Sequence, residues 1–128
     1  MTDHKHHEQL LTELSAQLKE IFESSDQAIY AYLDDTHKAC NQKFADLLGY
    51  ASPEEWAAVT DPFPQVFVAA ESQDALIGAF QQAMEHKAAS TFPVTWQKKD
   101  TGVVDTTVIL VPISLGQHLF TLHFISKK

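Results

Sequence analysis

The sequence predicts an α+β domain built on an antiparallel sheet. Apolar residues alternate with period two near the start, recur at helical spacing through the middle, and alternate again over the last third. The strands fall into two groups, and the turns within each group are too short to hold a crossover helix. At 128 residues the chain is one folding unit, long enough to bury roughly two thirds of its unfolded surface. It divides into an N-terminal amphipathic helix over residues 1–24 and the domain proper over 25–128.

The elements follow in order. Leu11, Leu14, Leu18 and Ile21 make a heptad-like stripe, with Thr2 or Asp3 as cap. Such a stripe needs a partner surface, either the domain's own sheet or a second copy. A strand over 27–33 and a shorter one over His37–Cys40 flank the "DDT" turn as a hairpin. Asn41 suits an N-cap and Gly49 a left-handed stop, which bounds a helix over Gln42–Leu48. In "SPEEW", Ser52 caps the next helix, Pro53 takes its first position and Glu55 completes a capping box. The "DPFP" segment at 61–64 is expected to interrupt regular structure.

The longest helix is expected over 72–87, with Leu76, Ile77, Phe80, Ala83 and Met84 on one face. Three strands close the chain, over 91–98, 103–113 and 117–126. In the first, Phe92, Val94 and Trp96 share a face, and Pro93 lacks a ladder donor, which makes this an edge strand. The other two are apolar on both faces and suit central strands covered on both sides.

Composition narrows the function. Hydrophobic residues make up 45% and charged residues 20%, and no apolar run approaches the ~20 residues of a membrane span. "MTDHKHHEQLL" has no signal-peptide core, so a cytoplasmic location is expected. A single cysteine, Cys40, allows no internal disulfide and fits a reducing compartment. The net charge of −8, with 17 acids and no arginine, argues against nucleic acid, whose phosphates favour arginine's bidentate fork.

Three signatures in this order resemble a PAS domain, the cytosolic sensor module of bacterial signalling proteins, over residues 22–126. They are "NQKFADLLGY" followed by "SPEEW"; "QKKDTGV", similar to the family's Lys-x-Asp-Gly turn with Thr101 inserted before Gly102; and "VPI" at the end of a strand. The resemblance implies a five-stranded antiparallel sheet of order 2-1-5-4-3, with helices packed over one face and a cavity between them. Phe44, Leu47, Ile77, Phe80, Trp96, Phe120 and Leu122 are the candidates for the cavity lining, although for any one of them a filled hydrophobic core is the commoner role.

Subsets of this family bind haem or flavin. The haem sensors carry a histidine early in the long helix, where this chain reads Glu71-Ser72-Gln73-Asp74, and His86 lies at the far end. The flavin light sensors carry Cys within Asn-Cys-Arg-Phe-Leu, whereas Cys40 precedes Asn41 here. Both cofactors are therefore disfavoured, and Cys40 is expected to be a small buried strand residue. The family's terminal Asp-Ile-Thr coupling motif reads Phe124-Ile125-Ser126, so any signal is expected to pass through association with another chain.

No metal site is expected. His4, His6 and His7 sit at a solvated terminus, and His118 and His123 fall on opposite faces of one strand. Asp105 lacks a nearby co-catalyst. Tyr30 and Tyr32 share one strand face, and together with Leu11, Leu14, Leu18 and Ile21 they are expected to form a homodimer interface on the outer sheet face. The expected function is a non-enzymatic sensory or protein-interaction module, dimeric, with a possible small apolar ligand or a separate signalling partner. The alternative is a small cone-shaped α+β enzyme or ligand carrier with His118, His123 or Asp105 in its pocket.

Overall fold

The structure, a computed structural model, describes residues 16, 19–20, 22–34, 37–115 and 118–127. The predicted stripe of Leu11, Leu14, Leu18 and Ile21 lies outside the described residues, as do His4, His6 and His7. Residues 22–24 are helical, and Ser24 Oγ donates to Glu20 O at 2.7 Å.

From there the chain forms β1 (Ala28–Asp34), β2 (His37–Cys40), α1 (Gln42–Leu48), α2 (Pro53–Ala57), α3 (Phe63–Phe67), α4 (Ala70–His86), β3 (Ser90–Gln97), β4 (Val103–Leu115) and β5 (His118–Lys127). The five strands form one sheet of order β2-β1-β5-β4-β3, and every neighbouring pair is antiparallel.

Local chemistry fixes the short helices. Asn41 Oδ1 accepts from Phe44 N at 3.0 Å, and Gly49 stops α1 at φ 86°, a conformation that costs a side-chain-bearing residue about 1 kcal/mol or more. Ser52 Oγ accepts from Glu55 N at 3.1 Å, while the Glu55 carboxylate reaches back to Ala51 N at 2.8 Å. As expected, Asp61 and Pro62 of "DPFP" lie outside helix, but Phe63 and Pro64 begin α3. Pro62 is the N-cap of α3 and Pro64 lies in its first turn, where the absent N–H would have had no intrahelical acceptor.

The sheet has a helix-covered inner face and an outer face. Register puts Tyr30 opposite His123 and Tyr32 opposite Thr121. Tyr30 is 1% exposed and packs among Phe44, Trp56, Phe63 and Trp96. Tyr30 and Tyr32 therefore face the helices, and the outer face expected for them belongs to Ile29, Ala31 and Leu33, which cluster with Phe120, Leu122 and Phe22. Period two fixes which residues share a face and leaves open which face turns inward.

β5 is buried on both faces, as expected. β4 is not, because Val103 and Ile109 on its outer face are 63% and 41% exposed. β3 is an edge, as Pro93 predicts, and its far end is strapped. Ala69 N donates to Thr95 O at 2.9 Å, Thr95 N donates to Ser72 Oγ at 2.9 Å, and Val68 bridges Trp96.

Candidate functional site

Inner-face aromatics converge beneath α3 and α4. Tyr30 is the centre: its ring stacks on the His123 imidazole at 4.0 Å and 7°, and lies 4.8 Å from Phe44 and 5.5 Å from Phe63. Tyr32 meets Phe63 at 5.1 Å and Phe80 at 5.4 Å, both edge-on. Such contacts add about 0.5–1.5 kcal/mol each beyond area burial.

A cavity of about 70 Å³ remains between these rings, lined by Tyr30, Tyr32, Phe63, Pro64, Leu76, Ile77, Phe80 and His123. Ile77 both lines it and is 38% exposed, so the cavity opens to solvent there. Of the candidates read from sequence, Ile77 and Phe80 reach this lining. Phe44 and Trp96 are fully buried in the core and Leu47 packs against its side, so they support the wall from behind. Phe120 and Leu122 belong to the outer cluster, on the opposite face of the sheet. The lining residues missed from sequence are Tyr30, Tyr32, Phe63, Pro64 and Leu76, while His123 is named there only as a pocket residue of the alternative reading. The parity of β5 already separated His123 from His118, but β5 is apolar on both faces and gave no sign of which faced the helices.

Electrostatics single out His123. It is 2% exposed, and burial pulls its imidazole down to about 3, against an opposing hydrogen bond with the Tyr30 backbone. The ring is therefore neutral at physiological pH, and among the described residues its buried Nδ1 has no hydrogen-bond partner. Burial also raises the Tyr30 phenol, and Tyr32 adds to the shift. Among the described residues, no carboxylate or ammonium lines the cavity. A second buried donor, Trp56 Nε1, is likewise unpaired, whereas Trp96 Nε1 donates to Thr106 Oγ1 at 2.8 Å and that hydroxyl donates to Val94 O at 2.9 Å.

Lys38 is 3% exposed on β2. Its Nζ donates to the carbonyl of Val59 and to that of Ala57 at 3.4 Å, and lies 5.4 Å from the Trp56 ring centroid. This ammonium covers carbonyls at the end of α2, where a cation is favoured.

The other candidates do not assemble. Asp105 is exposed on the outer face and accepts from Thr95 Oγ1 at 2.7 Å, so the sheet separates it from His123. Burial pushes the Cys40 thiol well up, which leaves it a poor nucleophile. No group of three metal-ligating side chains occurs among the described residues, and no helix among them is long and apolar enough to cross a membrane. At about 70 Å³ the aromatic cavity is too small to enclose haem or flavin.

No protein-family model matches the sequence, and no curated protein matches it. Solved structures do. The PAS domain of a protein from Colwellia psychrerythraea superposes with a TM-score of 0.70 at 19% identity, covering 90% of this chain and 97% of that one. The PAS domain of an HTR-like protein from Haloarcula marismortui gives 0.62 at 22%, covering 97% and 99%. A PAS domain from a two-component sensor histidine kinase gives 0.66 at 13%, covering 91% and 99%. At these identities the likeness is one of fold, and it agrees with the strand order and the placement of the helices: the chain has the PAS fold.

Proposed function

We propose that the chain is a non-enzymatic, cytoplasmic sensory module whose core takes a small, uncharged, largely apolar molecule carrying one hydrogen-bonding group. The observation that carries this reading is the pairing of an aromatic cavity with a buried, neutral His123 whose Nδ1 has no partner. An unsatisfied buried polar atom costs about 1–3 kcal/mol, which a ligand hydroxyl could recover. Charge on the ligand is disfavoured because the lining offers no counter-ion. A volume of about 70 Å³ admits only a few heavy atoms inside, and the opening at Ile77 leaves room for a longer molecule to project outward. Of the three pocket residues the alternative named, His118, His123 or Asp105, His123 lines the cavity and Asp105 lies on the other face of the sheet.

Native mass spectrometry of gently purified protein, with the denatured mass as control, tests the reading. Excess mass retained by the wild type and lost in Ile77→Trp, which closes the mouth, is the expected result. Identical retention in both places the adduct elsewhere and overturns the site.

Association of two copies through the outer face belongs to the same reading. It is supported by the exposed Val103 and Ile109 beside the half-buried Val111 and Ile113 on β4. Ile109→Lys is expected to shift sedimentation toward monomer, and an unchanged sedimentation profile would remove this face from the account.

A further inference from the structure

The side chain of Asn41 touches three separate parts of the chain. Its Oδ1 accepts from Ile29 N at 3.0 Å and from Phe44 N at 3.0 Å. Its Nδ2 donates to Gln27 O at 2.9 Å and to Phe22 O at 3.2 Å. An amide side chain has two donors and two acceptor sites, so all four are filled, and the residue is only 3% exposed. As an N-cap it needs one of these bonds; the cap accounts for Phe44 N and leaves the other three unexplained.

Each of the three parts leads elsewhere. Phe44 carries the ring that packs 4.8 Å from Tyr30, which in turn stacks on His123 at the cavity. Phe22 lies in the last turn of the N-terminal helical residues, and its side chain packs against the outer cluster of Ile29, Ala31, Phe120 and Leu122. Gln27 immediately precedes β1 and Ile29 is its second residue, in the strand between those two faces.

We infer that Asn41 is a latch between the wall of the core and the N-terminal helical segment, so that a shift of α1 is transmitted across the sheet by one amide rather than by side-chain packing. Hydrogen bonds are directional, and a small displacement of α1 that leaves its apolar contacts nearly intact misaligns Phe44 N with Oδ1 and turns Nδ2 away from Phe22 O. The device requires no ligand. It also operates if the core is permanently filled, so it stands apart from the proposed sensing role.

Hydrogen–deuterium exchange of the full chain tests the latch with Asn41→Asp, which retains both acceptor bonds and loses both donors. Exchange over residues 19–24 is expected to speed up roughly tenfold, the effect of two lost buried hydrogen bonds, while α1 and β5 keep their protection. Should this variant fail to fold, Asn41→Ser, which keeps the cap oxygen alone, carries the same comparison. Phe44→Leu then perturbs the wall directly: it is expected to loosen residues 19–24 in the wild type and to add nothing in the Asn41→Asp background. Equal loss of protection everywhere would reduce Asn41 to a structural cap. Additive effects of the two substitutions, or unchanged exchange at 19–24, would also overturn the latch.

Discussion

Acid should destabilise this protein through His123 before most of its carboxylates titrate. The imidazole has an ordinary value of 6.5 and is pulled down to about 3 in the fold, chiefly by burial. Its folded value lies below its unfolded one, so between the two the unfolded chain binds a proton that the folded chain does not. Stability from this group is therefore complete above about pH 6.5 and is lost as pH falls toward about 3. Each unit within that window removes about 1.4 kcal/mol, so roughly 2.7 kcal/mol should be gone two units below the unfolded value. That is a sizeable part of the 5–15 kcal/mol typical of a domain.

The assay is urea unfolding at several pH values, with His123→Phe as reference, because phenylalanine keeps the stack on Tyr30 and does not titrate. The difference between the two proteins isolates one proton from the carboxylates that both share. Wild type should lose stability relative to His123→Phe with a slope near 1.4 kcal/mol per unit below about pH 6. Parallel curves would refute the reasoning, since they would mean that the imidazole can take up a proton inside the fold.

Thr101 adopts φ 75° in the β3–β4 turn, where Lys98 N donates to Gly102 O at 2.8 Å; Thr101→Gly should raise the unfolding free energy by about 0.5 kcal/mol, read as a higher urea midpoint, after glycine's greater unfolded freedom is counted. The two buried tryptophans should separate on substitution by phenylalanine. Trp96→Phe removes the donor to Thr106 and should cost about 1–2 kcal/mol, whereas Trp56→Phe removes an unpaired donor and should cost about 1 kcal/mol less. Equal losses in denaturant titration would show that the Trp96 hydrogen bond contributes nothing.

How legible was this in the sequence? Residues that set backbone geometry locally were read well: Asn41 and Gly49 bound α1, Ser52 and Pro53 begin α2, and Pro93 marks an edge. Their effects act within a few residues, so the sequence window contains the cause. The candidate site was read poorly for the complementary reason. β1 presents Tyr30 and Tyr32 on one side and Ile29, Ala31 and Leu33 on the other, and both sets are apolar enough to be buried. Which side meets the helices depends on register with β5, nearly a hundred residues away in the chain. The same inversion moved Phe120 and Leu122 out of the expected lining and brought His123 into it. The α3 helix was missed because two prolines weighed against it, although both occupy positions where helices tolerate them.

The strap along β3 bears on how copies of this protein can assemble. A sheet edge with unpaired amides is a template for another chain's strand. Here the amide and carbonyl of Thr95 are already engaged by Ser72 and Ala69, and Pro93 has no amide to offer. Strand addition at this edge would first have to peel away the start of α4. Fibrillar growth by edge-to-edge pairing is thus obstructed on this side of the sheet.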